Sequence, residues 1–103
     1  MRILPVTPAT ATYDGKVDAF SDVGQGLASV AECERGRTVK VIHLGTTRFV
    51  IGIAETNKKG KWKVTGSRPP TGDTVVAKVV KGAYEDDGHQ HSCPSGKETA
   101  EAP

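Results

Sequence analysis

The pattern of hydrophobic and polar residues changes period at Arg37. Beyond that residue apolar and polar positions alternate with a period of two, which is typical of β-strands because successive side chains point to opposite faces. Short connections between consecutive strands favour an antiparallel meander. The alternation predicts four strands, at residues 38–44, 48–55, 61–65 and 74–81.

The alternation also assigns side chains to faces. Trp62 and Val64 share a face opposite Lys61 and Lys63, so we expect the tryptophan in the core. A base-stacking platform is the alternative for Trp62, because aromatic rings flanked by basic residues can stack nucleobases. In the other strands the pattern places Val39 with Val41 on one face and Phe49, Ile51 and Ile53 inward.

Upstream of Arg37 the spacing resembles that of a helix. Apolar residues from Val17 to Ala31 recur at steps of three and four, which forms one apolar stripe. Gly24 and Gly26 shorten the segment, since each glycine costs a helix about 1 kcal/mol relative to alanine. The spacing predicts a helix over residues 23–35.

Both ends of the chain differ from its centre in composition. Residues 1–12 are rich in proline and small residues and predict an extended arm, while residues 85–103 predict a flexible acidic tail. Residues 13–84 remain as a single small domain. The predicted fold class is therefore α+β: one short helix packed on a small antiparallel meander or a partly closed barrel.

The length of 103 residues allows one domain with a modest core, which favours a homo-oligomer or a constant partner. No apolar run reaches the roughly 18 residues of a membrane span, and the first residues lack the apolar stretch of a secretory signal. We therefore expect a cytoplasmic protein, or one inside a virion or host cell, that does not bind membranes. In that compartment Cys33 and Cys93 are expected to stay reduced.

Charge is segregated along the chain although the net charge is only +2. Residues 35–81 hold eleven basic and two acidic side chains, whereas both ends are acidic. A basic centre predicts an anion-binding surface. We assign it to a hairpin at residues 48–65 with neighbouring cations: Arg37, Lys40, Arg48, Lys58, Lys59, Lys61, Lys63 and Arg68. The alternative is a solvated strand face that protects a sheet edge.

His89, His91 and Cys93 are donors two residues apart, so an extended chain would place all three on one side. They are weak metal candidates because a second ligand pair is not visible in the sequence. No motif of a nucleophile elbow, phosphate loop or metalloprotease helix occurs, so we expect neither an enzyme nor a cofactor.

Two functional interpretations follow. The first is a small non-enzymatic binding module whose basic hairpin holds a polyanion, with nucleic acid as the first candidate. In that case the acidic tail can cover the basic face of the free protein. The second is a protein-interaction or assembly subunit, for example a viral structural or accessory protein, whose arm and tail order on a partner or on another copy.

Overall fold

A computed structural model of the chain describes residues 1–17, 20–23, 26–29, 33–86 and 88–103. Every regular element in these ranges is a β-strand, and every pairing is antiparallel. No described segment forms a helix that could cross a membrane. The strands are β1 (Arg2–Pro5), β2 (Thr10–Lys16), β3 (Phe20–Val23), β4 (Gly26–Ser29), β5 (Thr38–Leu44), β6 (Arg48–Glu55), β7 (Lys61–Ser67), β8 (Thr74–Val79), β9 (Gly82–Asp86), β10 (His89–Cys93) and β11 (Gly96–Glu101).

Two sheets form a β-sandwich. The three-stranded sheet has the order β1-β2-β7, and the four-stranded sheet has the order β11-β8-β5-β6. Alternate residues of the two sheets meet in one buried core, because period-two strands turn one face inward. The core joins Ala11, Tyr13, Trp62 and Val64 of the first sheet to Val39, Val41, Val75 and Ala77 of the second. The core position predicted for Trp62 with Val64 is confirmed, and Val39 and Val41, predicted to share a face, are both buried.

The predicted fold class is wrong, because the described residues contain no α-helix. At the start of the segment predicted as a helix, β4 pairs with the preceding strand β3, and Val23 lies opposite Gly26. Glycine at position 26 disfavours a helix, and Phe20 and Val23 suit a strand as well as a helix. Apolar spacing alone therefore misassigned the segment; residues 24, 25 and 30–32 lie outside the described ranges.

The predicted fold class also included a disordered C-terminal tail, and this part is wrong because the tail contains β10 and β11. β10 pairs with β9, and β11 pairs with β8 along its whole length. The chain end is held further by Ala102, whose N–H donates to the carbonyl of Asp73 at 2.8 Å. Backbone pairing on an existing sheet edge does not require an apolar pattern in the added strand, so composition alone could not reveal it. At the other end, β1 of the predicted arm is an edge strand paired with β2.

The predicted meander is interrupted between β6 and β7. β6 pairs with β5, while β7 pairs with β2, so the turn at residues 57–60 carries the chain from one sheet to the other. Asn57 Oδ1 accepts hydrogen bonds from the N–H groups of Lys59 and Lys61, and Gly60 adopts a φ of 79°. The turn residues were identified correctly, but the two strands do not form a hairpin ladder.

A bulge changes the faces of β6. The register with β5 shifts after Val41, which lies opposite Gly52, whereas Ile42 lies opposite Val50. Ile51 is thereby the extra residue, and every side chain beyond it changes face. Ile53, expected inward, therefore lies on the outer face and is 61% exposed; Phe49, also expected inward, precedes the bulge and is 51% exposed.

Cys33 and Cys93 form a disulfide whose Cα atoms are 5.5 Å apart, and both side chains are buried. This differs from the expected reduced state. Sixty residues separate the two cysteines in the sequence, but the end of β10 comes back to the segment that precedes β5. The bridge therefore ties the β9–β10 hairpin to the body of the sandwich.

Candidate polyanion-binding face

Three lysines form a row across the outer face of the four-stranded sheet. Lys78 of β8 lies directly opposite Lys40 of β5 on one side and Lys97 of β11 on the other. Side chains directly opposite on adjacent strands share a face, with Cβ atoms about 4.5–5.5 Å apart. We call Lys40, Lys78 and Lys97 the lysine row.

Such a row disfavours folding, because like charges directly opposite one another repel. Lys78 receives this repulsion from both neighbours. Two shallow depressions, of about 340 and 240 Å³, lie on this face, and Lys78 and Arg48 border both of them. Lys81 borders the larger depression, and no carboxylate among the described residues lines either one. The two depressions are therefore lined by positive charge without a carboxylate from the described residues.

An apolar floor lies beside the row. Ile42 and Val76 point to the outer face yet are buried, and Lys78, Lys97 and Arg48 surround the depression above them. Long basic side chains cover apolar surface with their methylene stems and keep the charged group in water. This packing holds the charged groups along the sheet, where an extended anionic chain could contact several of them at once.

The densest cluster of lysines in the sequence lies on the opposite side of the sandwich. Lys61 and Lys63 project outward from β7, and Lys58 and Lys59 are exposed in the turn before it. Lys63 lies opposite Asp14, whose carboxylate also accepts a hydrogen bond from Arg2 at 2.8 Å. Arg2, Asp14 and Lys63 thus alternate in charge across this sheet, whereas Lys61 lies opposite Lys16. The hydrogen bond to Asp14 raises the pKa of the Arg2 guanidinium.

Two predicted site residues lie apart from both faces. Arg37 is only 5% exposed, and its guanidinium donates to the carbonyls of Cys33, Val80 and Pro94, each at 2.9 Å. Burial lowers the pKa of Arg37. Arg68 lies at the far end of β7, where its backbone N–H donates to the carbonyl of Ala9. Arg37 therefore joins chain segments around the disulfide rather than presenting charge to a ligand.

The structure excludes one of the three tail residues considered for metal binding. Cys93 is bonded to Cys33, so its sulfur is not available as a thiolate ligand. His89 and His91 belong to β10, but their side chains lie outside the described part of the structure. Within that described part, no group of three or more histidine, cysteine, aspartate or glutamate side chains could hold a metal ion.

Of the eight predicted cations, Lys40 and Arg48 lie on the face with the lysine row, Lys61 and Lys63 lie on the opposite face, and two more lie in the turn between the sheets. Sequence reasoning did not select Lys78, Lys81 or Lys97. Lys97 belonged to the predicted tail, and nothing in the order of residues places it opposite Lys78. Comparison with protein-family models, curated proteins and solved structures finds no match to the chain.

Proposed function

We propose that the protein is a small non-enzymatic binding module that holds a polyanion on the outer face of its four-stranded sheet. The observation that carries this proposal is the lysine row, in which three like charges stand directly opposite one another. An arrangement that costs folding free energy is typical of a binding surface, where a ligand of opposite charge offsets the repulsion.

The contacts are electrostatic. Lys40, Lys78 and Lys97 supply ammonium groups across three strands, and the charge is extended by Arg48, which borders both depressions, and by Lys81, which borders the larger one. Lysine ammonium groups contact phosphates, sulfates or carboxylates as point charges and read no sequence. Trp62 is buried in the core and takes no part in base stacking. Nucleic acid is the first polyanion to test, and binding to it should be independent of base sequence.

The disulfide bears on where the module works. Buried disulfides are typical of oxidising compartments and rare in the reducing cytosol. The Cys33–Cys93 bridge therefore supports an oxidising compartment over the cytoplasm that the sequence suggested. In such a compartment an acidic polysaccharide would be the available polyanion, so a sulfated polysaccharide is the second probe.

The test compares two variants with the same change in net charge. Lys40→Gln/Lys78→Gln/Lys97→Gln removes the lysine row, and Lys58→Gln/Lys59→Gln/Lys61→Gln removes three lysines from the opposite side. Fluorescence anisotropy with a labelled oligonucleotide, across a salt series, measures affinity and the slope of log K against log salt. We expect the first variant to lose about 2 to 3 in slope, near 0.7–0.9 for each lost phosphate contact.

The second variant is expected to keep most of the slope of the unaltered protein. Equal losses in both variants would mean that binding follows net charge and not the lysine row. The proposal would be refuted if the unaltered protein bound neither the oligonucleotide nor the sulfated polysaccharide at low salt. Circular dichroism of each variant confirms that the fold is kept.

A further inference from the structure

The strand β6 leaves one edge of the four-stranded sheet open. It pairs with β5 along one side, and no described strand forms a ladder on its other side. Three of its large apolar side chains are exposed: Phe49, Val50 and Ile53. Long edge strands with exposed apolar side chains are places where another strand associates. This edge is therefore a candidate interface.

The bulge at Ile51 arranges four side chains of β6 on the outer face. Arg48 and Val50 lie opposite Leu44 and Ile42 before the bulge, and Ile53 and Glu55 lie opposite Lys40 and Thr38 after it. Without the extra residue, even- and odd-numbered positions would point to opposite faces. Along the outer face of β6 a cation is thus followed by two apolar side chains and then by an anion.

We propose that two copies of this chain associate by placing their β6 strands side by side and antiparallel, about a two-fold axis near Ile51 and Gly52. In this register Arg48 of one copy faces Glu55 of the other, and Val50 faces Ile53. Each contact occurs twice, as two-fold symmetry requires. Opposite charges and apolar pairs directly opposite one another stabilise antiparallel strands.

Among antiparallel registers, this one alone pairs all four outer-face residues with one another. A shift by two residues in one direction places Arg48 against Ile53, and in the other direction places Val50 against Glu55. Both shifts leave charges without partners beside apolar groups. The charge order of β6 is complementary to itself, and that is why a second copy is the occupant we assign to this edge.

The neighbouring strand β7 limits the form of the interface. Gly66 of β7 lies so close to Ile51 that an added Cβ would be 3.0 Å from the Ile51 carbonyl oxygen. The middle of β6 is therefore held against β7. The second copy contacts the outer-face side chains and both ends of the strand, and it does not form a continuous backbone ladder through the centre.

Charge exchange tests the proposed register. Sedimentation equilibrium from about 1 µM to about 1 mM protein, free of nucleic acid, measures the dimer dissociation constant. Glu55→Arg sets Arg48 against an arginine, and Arg48→Glu sets Glu55 against a glutamate. We expect each single variant to dimerise at least about tenfold more weakly than the unaltered protein, because two like-charge contacts replace two favourable ones.

An equimolar mixture of the two single variants is expected to recover dimers, since the mixed pair restores opposite charges at both ends. The matched control is Glu101→Arg, which makes the same charge change on exposed β11 and should leave the dissociation constant unaltered. Ile53→Lys, also at an exposed position, should abolish dimers while the circular dichroism spectrum is kept.

A monomer at every concentration would overturn the inference. So would dimers that Glu55→Arg, Arg48→Glu and Ile53→Lys leave intact, because the interface would then lie elsewhere. Arg48 belongs to both proposed surfaces, but the experiment measures dimerisation alone, because no ligand is present.

Discussion

The two outer faces of the sandwich carry similar numbers of basic side chains but arrange them differently. On the three-stranded sheet, Lys63 lies opposite Asp14, and Asp14 is paired with Arg2. On the four-stranded sheet, Lys78 lies between Lys40 and Lys97. The first face sets Lys63 against an acid although Lys61 lies opposite Lys16, whereas on the second face no acid among the described residues lies opposite any member of the lysine row.

This difference shows that charge density along the chain is a poor guide to charge density in space. Lys58, Lys59, Lys61 and Lys63 are close in sequence, yet two of them lie in a turn and Lys63 lies opposite Asp14. The lysine row brings together residues 40, 78 and 97, which are distant in sequence. Cross-strand register decides which charges are neighbours, and register is a property of the whole sheet.

The largest expected effect concerns the disulfide, which ties down the segment preceding the strand of Lys97. Cys33→Ala/Cys93→Ala should lower the free energy of unfolding by about 2–5 kcal/mol, because the bridge closes a long loop in the unfolded chain. Urea unfolding followed by tryptophan fluorescence measures the change.

A reducing agent should lower the stability of the unaltered protein in the same way and leave the double variant unaffected. Equal stability of the oxidised and reduced protein would show that the bridge does not support the fold. Loss of the bridge should also weaken polyanion binding if the ordered position of Lys97 matters to the lysine row.

A smaller effect is expected from Tyr13, which stabilises the three-stranded sheet. Its buried hydroxyl donates a hydrogen bond to the carbonyl of Ser67 at 2.5 Å and so joins β2 to the end of β7. Tyr13→Phe should cost about 0.5–1.5 kcal/mol in the free energy of unfolding. Polyanion affinity should not change, because this hydrogen bond lies in the sheet that the proposal does not use.

The same residue predicts a pH dependence. Burial raises the pKa of the Tyr13 phenol in the folded protein. The folded state therefore binds the phenolic proton more tightly than the unfolded state, where the pKa is about 10. The protonated phenol therefore contributes fully to the free energy of unfolding below the unfolded pKa, and this contribution is lost as the pH rises through the folded pKa. The stability difference between the unaltered protein and Tyr13→Phe should shrink in that window; a constant difference would contradict this account.

The smallest expected effect compares one lysine on each face, and the two substitutions should change the free energy of unfolding in opposite directions. Lys78→Gln removes repulsion from Lys40 and Lys97 and should raise the free energy of unfolding by about 0.2–1 kcal/mol at low salt. Lys63→Gln removes an attraction to Asp14 and should lower it by a similar or smaller amount. Both changes should fade in high salt, since salt screens exposed charges.

Thermal unfolding in low and high salt measures both variants. Changes of the same sign in the two variants would mean that cross-strand charge order does not distinguish the faces. Lys78→Gln should also weaken polyanion binding, so that stability and affinity move in opposite directions, as expected of a residue that serves a ligand at the expense of the fold.

Strand positions in the centre of the chain were predictable because alternation is local. The segments around Val39, Trp62 and Val75 read as strands, and the structure places them there. Residues 20–29 were not predictable in the same way, because three- and four-residue spacing in a glycine-containing segment is compatible with two short strands. The tail was misread because β11 gains its order from β8 and not from its own composition.

The sequence predicted that the candidate site would bind anions, but it did not predict most of the residues that form it. An excess of basic residues between Arg35 and Lys81 indicated an anion-binding surface, and Lys40 and Arg48 were among the residues selected. Lys97 could not be selected, since its partner across the sheet is known only when β11 is placed beside β8. Arg37 was selected for its charge, whereas its burial against backbone carbonyls depends on the fold around the disulfide.

By itself, the sequence determined the central strands, the turn at Asn57–Gly60 and the buried positions of Trp62 and Val64, because alternation and turn chemistry act over a few residues. Only the tertiary structure decided which strands pair, that Cys33 meets Cys93, that Ile51 forms a bulge, and that three distant lysines form a row. These are contacts between segments far apart in the chain, and they depend on how all the strands bury their faces together.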